Sequence, residues 1–144
     1  MDVIGLDRVV LATPHLEETA EEFEALLGLS FGEVLEPTTS TESGNQEVAN
    51  LLSSAGVELV TPRDDNGEVH RFLEANGAGL YALSLRVTDL EEAKDHLAER
   101  GLEPVGQFEA NDFSEVFYHP RHFDGAMVIL AEYHAPHPAE TASL

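Results

Sequence analysis

The chain has 144 residues, with 28 acidic against 7 basic side chains, a formal charge of −21 and no cysteine. A field of that sign repels phosphate backbones and anionic bilayers, which argues against nucleic acid and membrane surfaces as partners. Without cysteine there are no disulfides, thiolate nucleophiles or cysteine-bound metals, while 42% hydrophobic content in regular patterns speaks against disorder.

One domain is expected over residues 1–134, with a first module over about 5–62, a connecting helix at 67–75 and a second module over about 79–134, followed by an irregular tail at 135–144. The opening segment MDVIGLDRVV lacks a basic n-region and a long apolar run, and no later stretch is long enough to cross a bilayer, so a cytoplasmic location is expected. The acid excess reads as adaptation to a high-salt cytoplasm, where dense carboxylates keep the surface hydrated and salt screens their repulsion.

In chain order, Leu6 to Thr13 is a β-branched apolar run and reads as a strand. Thr13 and Pro14 start a helix whose stripe is Leu16, Ala20, Phe23 and Leu27, ended by Gly28. Strands are then expected near Ser30–Leu35, Glu47–Leu52 and Val57–Thr61. The segment from Gly67 to Ala75 reads as a short helix with Val69, Phe72 and Leu73 inward. A second strand–helix pair follows: Leu80 to Val87, then a capping box at Thr88 and Glu91 and the stripe Leu90, Ala93 and Leu97, closed by Gly101. Three more strands are expected near Glu103–Phe108, Glu115–Tyr118 and Ala126–Tyr133.

The second half repeats the first. One spacing separates Leu6 from Leu80, Leu16 from Leu90, Glu17 from Glu91 and Glu18 from Glu92, slipping by a single residue at Gly28 and Gly101. Two copies imply a pseudo-twofold pair sharing one core. The expected fold class is α+β: two tandem βαβββ modules forming a curved, partly open mixed barrel with helices outside and a cleft within.

The segments GLDRVVLAT, VELVTPRDDNGEVHRFLEANGAGLYALSLRVTDLEEA and FYHPRHFDGAMVILAEY together resemble the vicinal oxygen chelate superfamily of glyoxalases, bleomycin-resistance proteins and dioxygenases, and within it the methylmalonyl-CoA epimerase-like branch. In metal-using members that the sequence resembles, four strands each supply one metal ligand. The aligned positions here are Arg8, Glu58, Ala82 and Ile129, so a single donor of that set remains. One carboxylate cannot hold a divalent ion that needs three or four protein ligands, and neither a metal nor another cofactor is expected.

Period-two alternation puts Arg8 on a face with Val10 and Ala12, Glu58 with Val60, Ala82 with Ser84, and Ile129 with Met127 and Ala131. The expected ligand-binding set is therefore Arg8, Glu58, Asn50, Ala82, Ser84, Met127 and Ile129. A guanidinium in an apolar cleft needs a partner, and Glu58 is the evident one. Arg8 either binds a ligand carboxylate or forms a structural ion pair with Glu58 in place of the metal.

Glu47 falls roughly where epimerase-like members keep a catalytic carboxylate, with Asn50 as the other candidate for that position. Glu47 and Glu58 are the two candidate catalytic bases. His119 resembles a turn residue, His134 and His137 are expected to be exposed in the tail, and no protease, nucleotide or nucleophile-elbow motif is present.

Three functions remain open at this level. The first is a binding protein of bleomycin-resistance type, taking a small, anionic ligand and, by resemblance, forming a homodimer. The second is an epimerase or lyase that abstracts a proton next to a carbonyl. The third is an interaction protein with a vestigial cleft.

Overall fold

The two repeats fold alike in the computed structural model, which describes residues 1–42 and 44–138. The first contains β1 (Val3–Ala12), α1 (Leu16–Leu27), β2 (Thr38–Thr41), β3 (Gly44–Ser53) and β4 (Val57–Pro62). Then comes α2 (Glu68–Asn76). The second contains β5 (Gly79–Val87), α3 (Leu90–Ala98), β6 (Gly106–Glu109), β7 (Phe113–Tyr118) and β8 (Met127–Tyr133), with a 3-10 turn at Pro120–His122 before the last strand. No helix among the described residues is long and apolar enough to cross a membrane.

The eight strands form one ring in the order β1-β4-β3-β2-β6-β7-β8-β5. Within each module the first strand runs parallel to the last, β1 with β4 and β5 with β8, while β1 and β5 join the modules antiparallel. The barrel was expected to be partly open, yet β2 and β6 bridge the gap with two residue pairs, Ser40 with Gln107 and Thr41 with Gly106. Glycine is needed at that seam, because a Cβ on Gly106 would lie 2.8 Å from the Phe117 ring and 2.9 Å from the Ser40 carbonyl oxygen.

Helices α1 and α3 cover the outside. Leu16 and Ala20 of α1 pack on Ala49, Leu51 and Leu59, and Leu90 and Ala93 of α3 pack on Val116, Tyr118, Val128 and Leu130. Leu59 has 0% exposure; each such side chain contributes about 1.5–3 kcal/mol on burial. The third cluster lines the interior: Val10, Val48, Val60, Phe117, Met127 and Ile129 meet Val69 of α2, with Phe72 and Leu73 packed against it.

Two local expectations are corrected. Residues 30–35 form only two isolated bridges, Phe31 with Ser53 and Leu35 with Asn50, and the strand pairing with β3 is Thr38–Thr41 instead. Thr39 Oγ1 donates to the Gln46 carbonyl across that hairpin. The α3 cap is Asp89 rather than Thr88, its carboxylate accepting the Glu92 N–H.

Candidate functional site

β1 and β5 set the geometry. Leu6 pairs with Leu85 but Arg8 pairs with Ser84, so Asp7 is an extra residue on the β1 side. Such a bulge breaks strict alternation, and Asp7 and Arg8 are both buried and both line the interior cavity. β4 brings Glu58 beside Val10, and β7 brings in Glu115, buried at the level of Ala131 in β8.

One guanidinium ties these elements together. Arg8 Nε donates to Glu58 Oε1 at 2.6 Å, Nη1 to Asp7 Oδ2 at 2.5 Å and to Ser84 Oγ at 3.3 Å, and Nη2 to Glu115 Oε2 at 3.0 Å. Asp7 accepts three further hydrogen bonds, from Ser84 Oγ at 2.7 Å, Tyr133 OH at 2.7 Å and His137 Nε2 at 2.6 Å. Leaving one of these charges without its partner would cost about 3–5 kcal/mol.

The titration behaviour follows from this wiring. Burial pushes the Glu115 carboxyl up to about 6; the Arg8 charge opposes that shift and Glu58 adds to it. Burial alone would raise Asp7, but attraction to Arg8 and the hydrogen bonds from Ser84, His137 and Tyr133 hold it below the ordinary carboxylate range. Arg8 is held well above its ordinary value, because three carboxylates outweigh its desolvation. The phenols of Tyr81 and Tyr133 are raised, first by burial and then by nearby carboxylates.

Above the cluster lies a cavity of about 550 Å³, walled by residues of both modules. Its apolar sides include Val10, Val48, Val60, Phe108, Phe117 and Met127, and Pro136, His137 and Pro138 border it after β8. Asn50 sends Nδ2 to Glu58 Oε2 at 3.4 Å, while its Oδ1 is buried without a hydrogen-bond partner. An unmet buried acceptor costs about 1–3 kcal/mol.

The structure brings together most, not all, of the expected site. Arg8, Glu58, Asn50, Met127 and Ile129 line the cavity. Ala82 packs in the inner cluster behind that lining, and Ser84, with 0% exposure, serves Asp7 and Arg8 rather than the cavity. Glu47 is misplaced by the sequence reading: Gln46, Val48 and Asn50 take the inward positions of β3, and Glu47 is exposed on the other face.

Of the two readings of Arg8, the ion pair with Glu58 is present, and Asp7 and Glu115 join it. His137, expected to be exposed, is buried against Asp7 and the Tyr133 ring. Glu115 was missed although it alternates with Phe113 and Phe117 on the inward face of β7, a signal present in the sequence. His119 accepts the Arg121 N–H and starts the 3-10 turn.

The metal that the superfamily uses does not fit these residues. At the aligned positions Ala82 and Ile129 carry no donor atom, and Arg8 places a fixed cation 2.6 Å from the one carboxylate, Glu58. Among the described residues no group of three histidine or carboxylate side chains is arranged to hold an ion.

The fold and the cavity between its modules define a duplicated βαβββ barrel protein. The chain belongs to the Glyoxalase/Bleomycin resistance protein/Dioxygenase superfamily, which it matches over residues 7–117. It is 32% identical over 131 residues to the mitochondrial methylmalonyl-CoA epimerase of Dictyostelium discoideum, covering 88% of this chain and 77% of that protein. It is 30% identical over 132 residues to the ethylmalonyl-CoA/methylmalonyl-CoA epimerase of Cereibacter sphaeroides, covering 88% and 96%. The crystal structure of methylmalonyl-CoA epimerase from Mycobacterium tuberculosis superposes with a TM-score of 0.75 at 25% identity, covering 93% of this chain and 90% of that one.

Proposed function

We propose that this protein is a metal-independent member of the superfamily that binds a compact, largely apolar small molecule inside the barrel. The observation that carries this is Arg8: a permanent cation stands at an aligned metal-ligand position, held by Asp7, Glu58 and Glu115 under a cavity of about 550 Å³. Cavities of that size and apolar lining are typical of small-molecule sites. The test is a thermal-shift screen of metabolite-like compounds, run with chelator and with added divalent ions, beside elemental analysis of the purified protein. Stabilisation that is indifferent to chelation supports the reading; stoichiometric bound metal, or binding lost on chelation and restored by an ion, would overturn it.

A second reading is favoured by Glu115. A carboxyl near 6 beside Glu58 is suited to exchanging protons at neutral pH, and the three similar proteins named above are epimerases of malonyl-CoA derivatives. In this reading Glu58 or Glu115 removes a proton next to a carbonyl and becomes a neutral acid, which lowers the negative charge of the cluster as the enolate forms. Incubation with methylmalonyl-CoA in deuterium oxide checks it: incorporation of deuterium at the α-carbon, abolished by Glu58→Gln or Glu115→Gln, is the expected sign.

The homodimer that the resemblance implies belongs to the same proposal. Val3, Ile4 and Leu6 leave exposed apolar surface at the start of β1 that a second copy would cover. Light scattering that gives the monomer mass at all concentrations would reject it.

A further inference from the structure

The floor of the cavity is short of hydrogen-bond donors and rich in acceptors. Among the described residues Arg8 sends four hydrogen bonds, to Asp7, Glu58, Ser84 and Glu115, none of them toward the open space. Three carboxylates against one guanidinium leave the cluster net negative. Glu58 Oε2 meets only the Asn50 amide, at 3.4 Å, and Asn50 Oδ1 is buried with no donor in reach. Glu115 is bonded through Oε2 alone among the described residues. Arg8 keeps one Nη2 N–H beyond these four bonds, so carboxylate oxygens outnumber the guanidinium donors left for an entering anion or carbonyl.

The walls point the same way. Tyr81, Phe108, Phe113 and Phe117 border the same cavity, and aromatic faces attract cations once water is excluded. The formal charge of −21 also draws cations toward the protein from a distance.

Resting on the reading of the cavity as a ligand site, the geometry points to an organic cation as its ligand: an apolar body carrying one protonated amine that donates to Glu58 and Glu115. The ammonium supplies donors to the free carboxylate oxygens, and it compensates the excess negative charge. The apolar body fills the space between Val48, Val60 and Phe117.

Three probes of one shape and different head groups test this: phenethylamine, phenethyl alcohol and phenylacetate, titrated at neutral pH by calorimetry and by ligand-observed NMR. The titrations are run at about 1 M salt, where surface attraction is screened within ~3 Å. The amine is expected to bind about tenfold or more tighter than the alcohol, with phenylacetate weakest. Glu58→Gln narrows the gap between amine and alcohol. Glu115→Gln, a second variant that keeps the test alive if the first does not fold, also weakens the amine about tenfold while sparing the alcohol. Equal affinity for amine and alcohol overturns the cationic class and leaves the cavity a ligand site; tightest binding of phenylacetate overturns it by showing that Arg8 is free for anions. Binding of no probe removes both readings.

Discussion

Asp7 and Arg8 are neighbours in the chain, yet both turn into the barrel, and Arg8 Nη1 lies 2.5 Å from Asp7 Oδ2. A regular strand would send them to opposite faces; the extra residue between the Leu6–Leu85 and Arg8–Ser84 pairs is what brings them together. The bulge thereby adds a third carboxylate to the pair that β4 and β7 supply.

Removing the guanidinium should be costly. Arg8→Met leaves Asp7, Glu58 and Glu115 buried without a cation, and a loss of about 3–5 kcal/mol is expected in urea unfolding. Adding Glu58→Gln to Arg8→Met should recover part of that loss, because fewer charges remain uncompensated. The double-mutant cycle should therefore be strongly non-additive. Simple addition of the two losses would show that Arg8 and Glu58 act independently.

The pH dependence separates Glu115 from Asp7. Raised from 4.5 to about 6, Glu115 binds its proton more tightly in the folded state. Folded protein thus holds more protons than unfolded protein across that window, so stability falls as pH rises through it, by about 2 kcal/mol. Glu115→Gln should flatten this part of the profile measured by denaturant unfolding. Asp7 runs the opposite way: lowered from 3.8, its contribution is present above that value and is lost as pH falls below it, and Asp7→Asn should remove that acid limb.

The duplication was legible because burial faces and helix stripes are local patterns, and each is written twice. Pairing bears it out: Val10 faces Glu58 as Ser84 faces Ile129, while Arg8 crosses to Ser84 and Val10 to Ala82. The contents of the site were less legible. Asp7 depended on a bulge that alternation cannot register, and β2 moved from the apolar Ser30–Leu35 segment to Thr38–Thr41 because pairing with β6 closes the ring there. His137 lies beyond the last strand, where no periodicity operates, and its burial follows from Asp7 and Tyr133 being present to receive it.

Glu47 offers a control. Its side chain is exposed and it is held only through its backbone, the N–H donating to Asp64 Oδ2 at 2.9 Å and the carbonyl accepting from Arg63. Glu47→Gln should change stability by less than about 0.5 kcal/mol and leave ligand binding in the cavity unaltered. A large loss of binding in a calorimetric titration would mean that β3 turns its other face inward.

Salt should matter to this chain as a whole. With a formal charge of −21, folding gathers carboxylates that repel one another, and screening shortens their reach from about 10 Å at 0.1 M to about 3 Å at 1 M. Unfolding midpoints followed by circular dichroism should rise steeply with added salt over that range. A full native signal and an unchanged midpoint without salt would reject the high-salt adaptation read from the composition.

The symmetric positions around the pseudo-twofold permit a stronger check. Arg8 and Ala82 are equivalent across the β1–β5 junction, and Glu58 and Ile129 across β4 and β8. Arg8→His, Ala82→His and Ile129→Glu together would give two imidazoles and two carboxylates, a donor set suited to a divalent ion. Removing Arg8 also frees Glu58 from its 2.6 Å contact. The triple variant is expected to bind one zinc or manganese ion per chain, with thermal stability that falls on chelation and returns with the ion. If the variant folds but binds no ion more tightly than the parent, then the four positions do not converge and the alignment of Arg8 with a metal ligand is wrong.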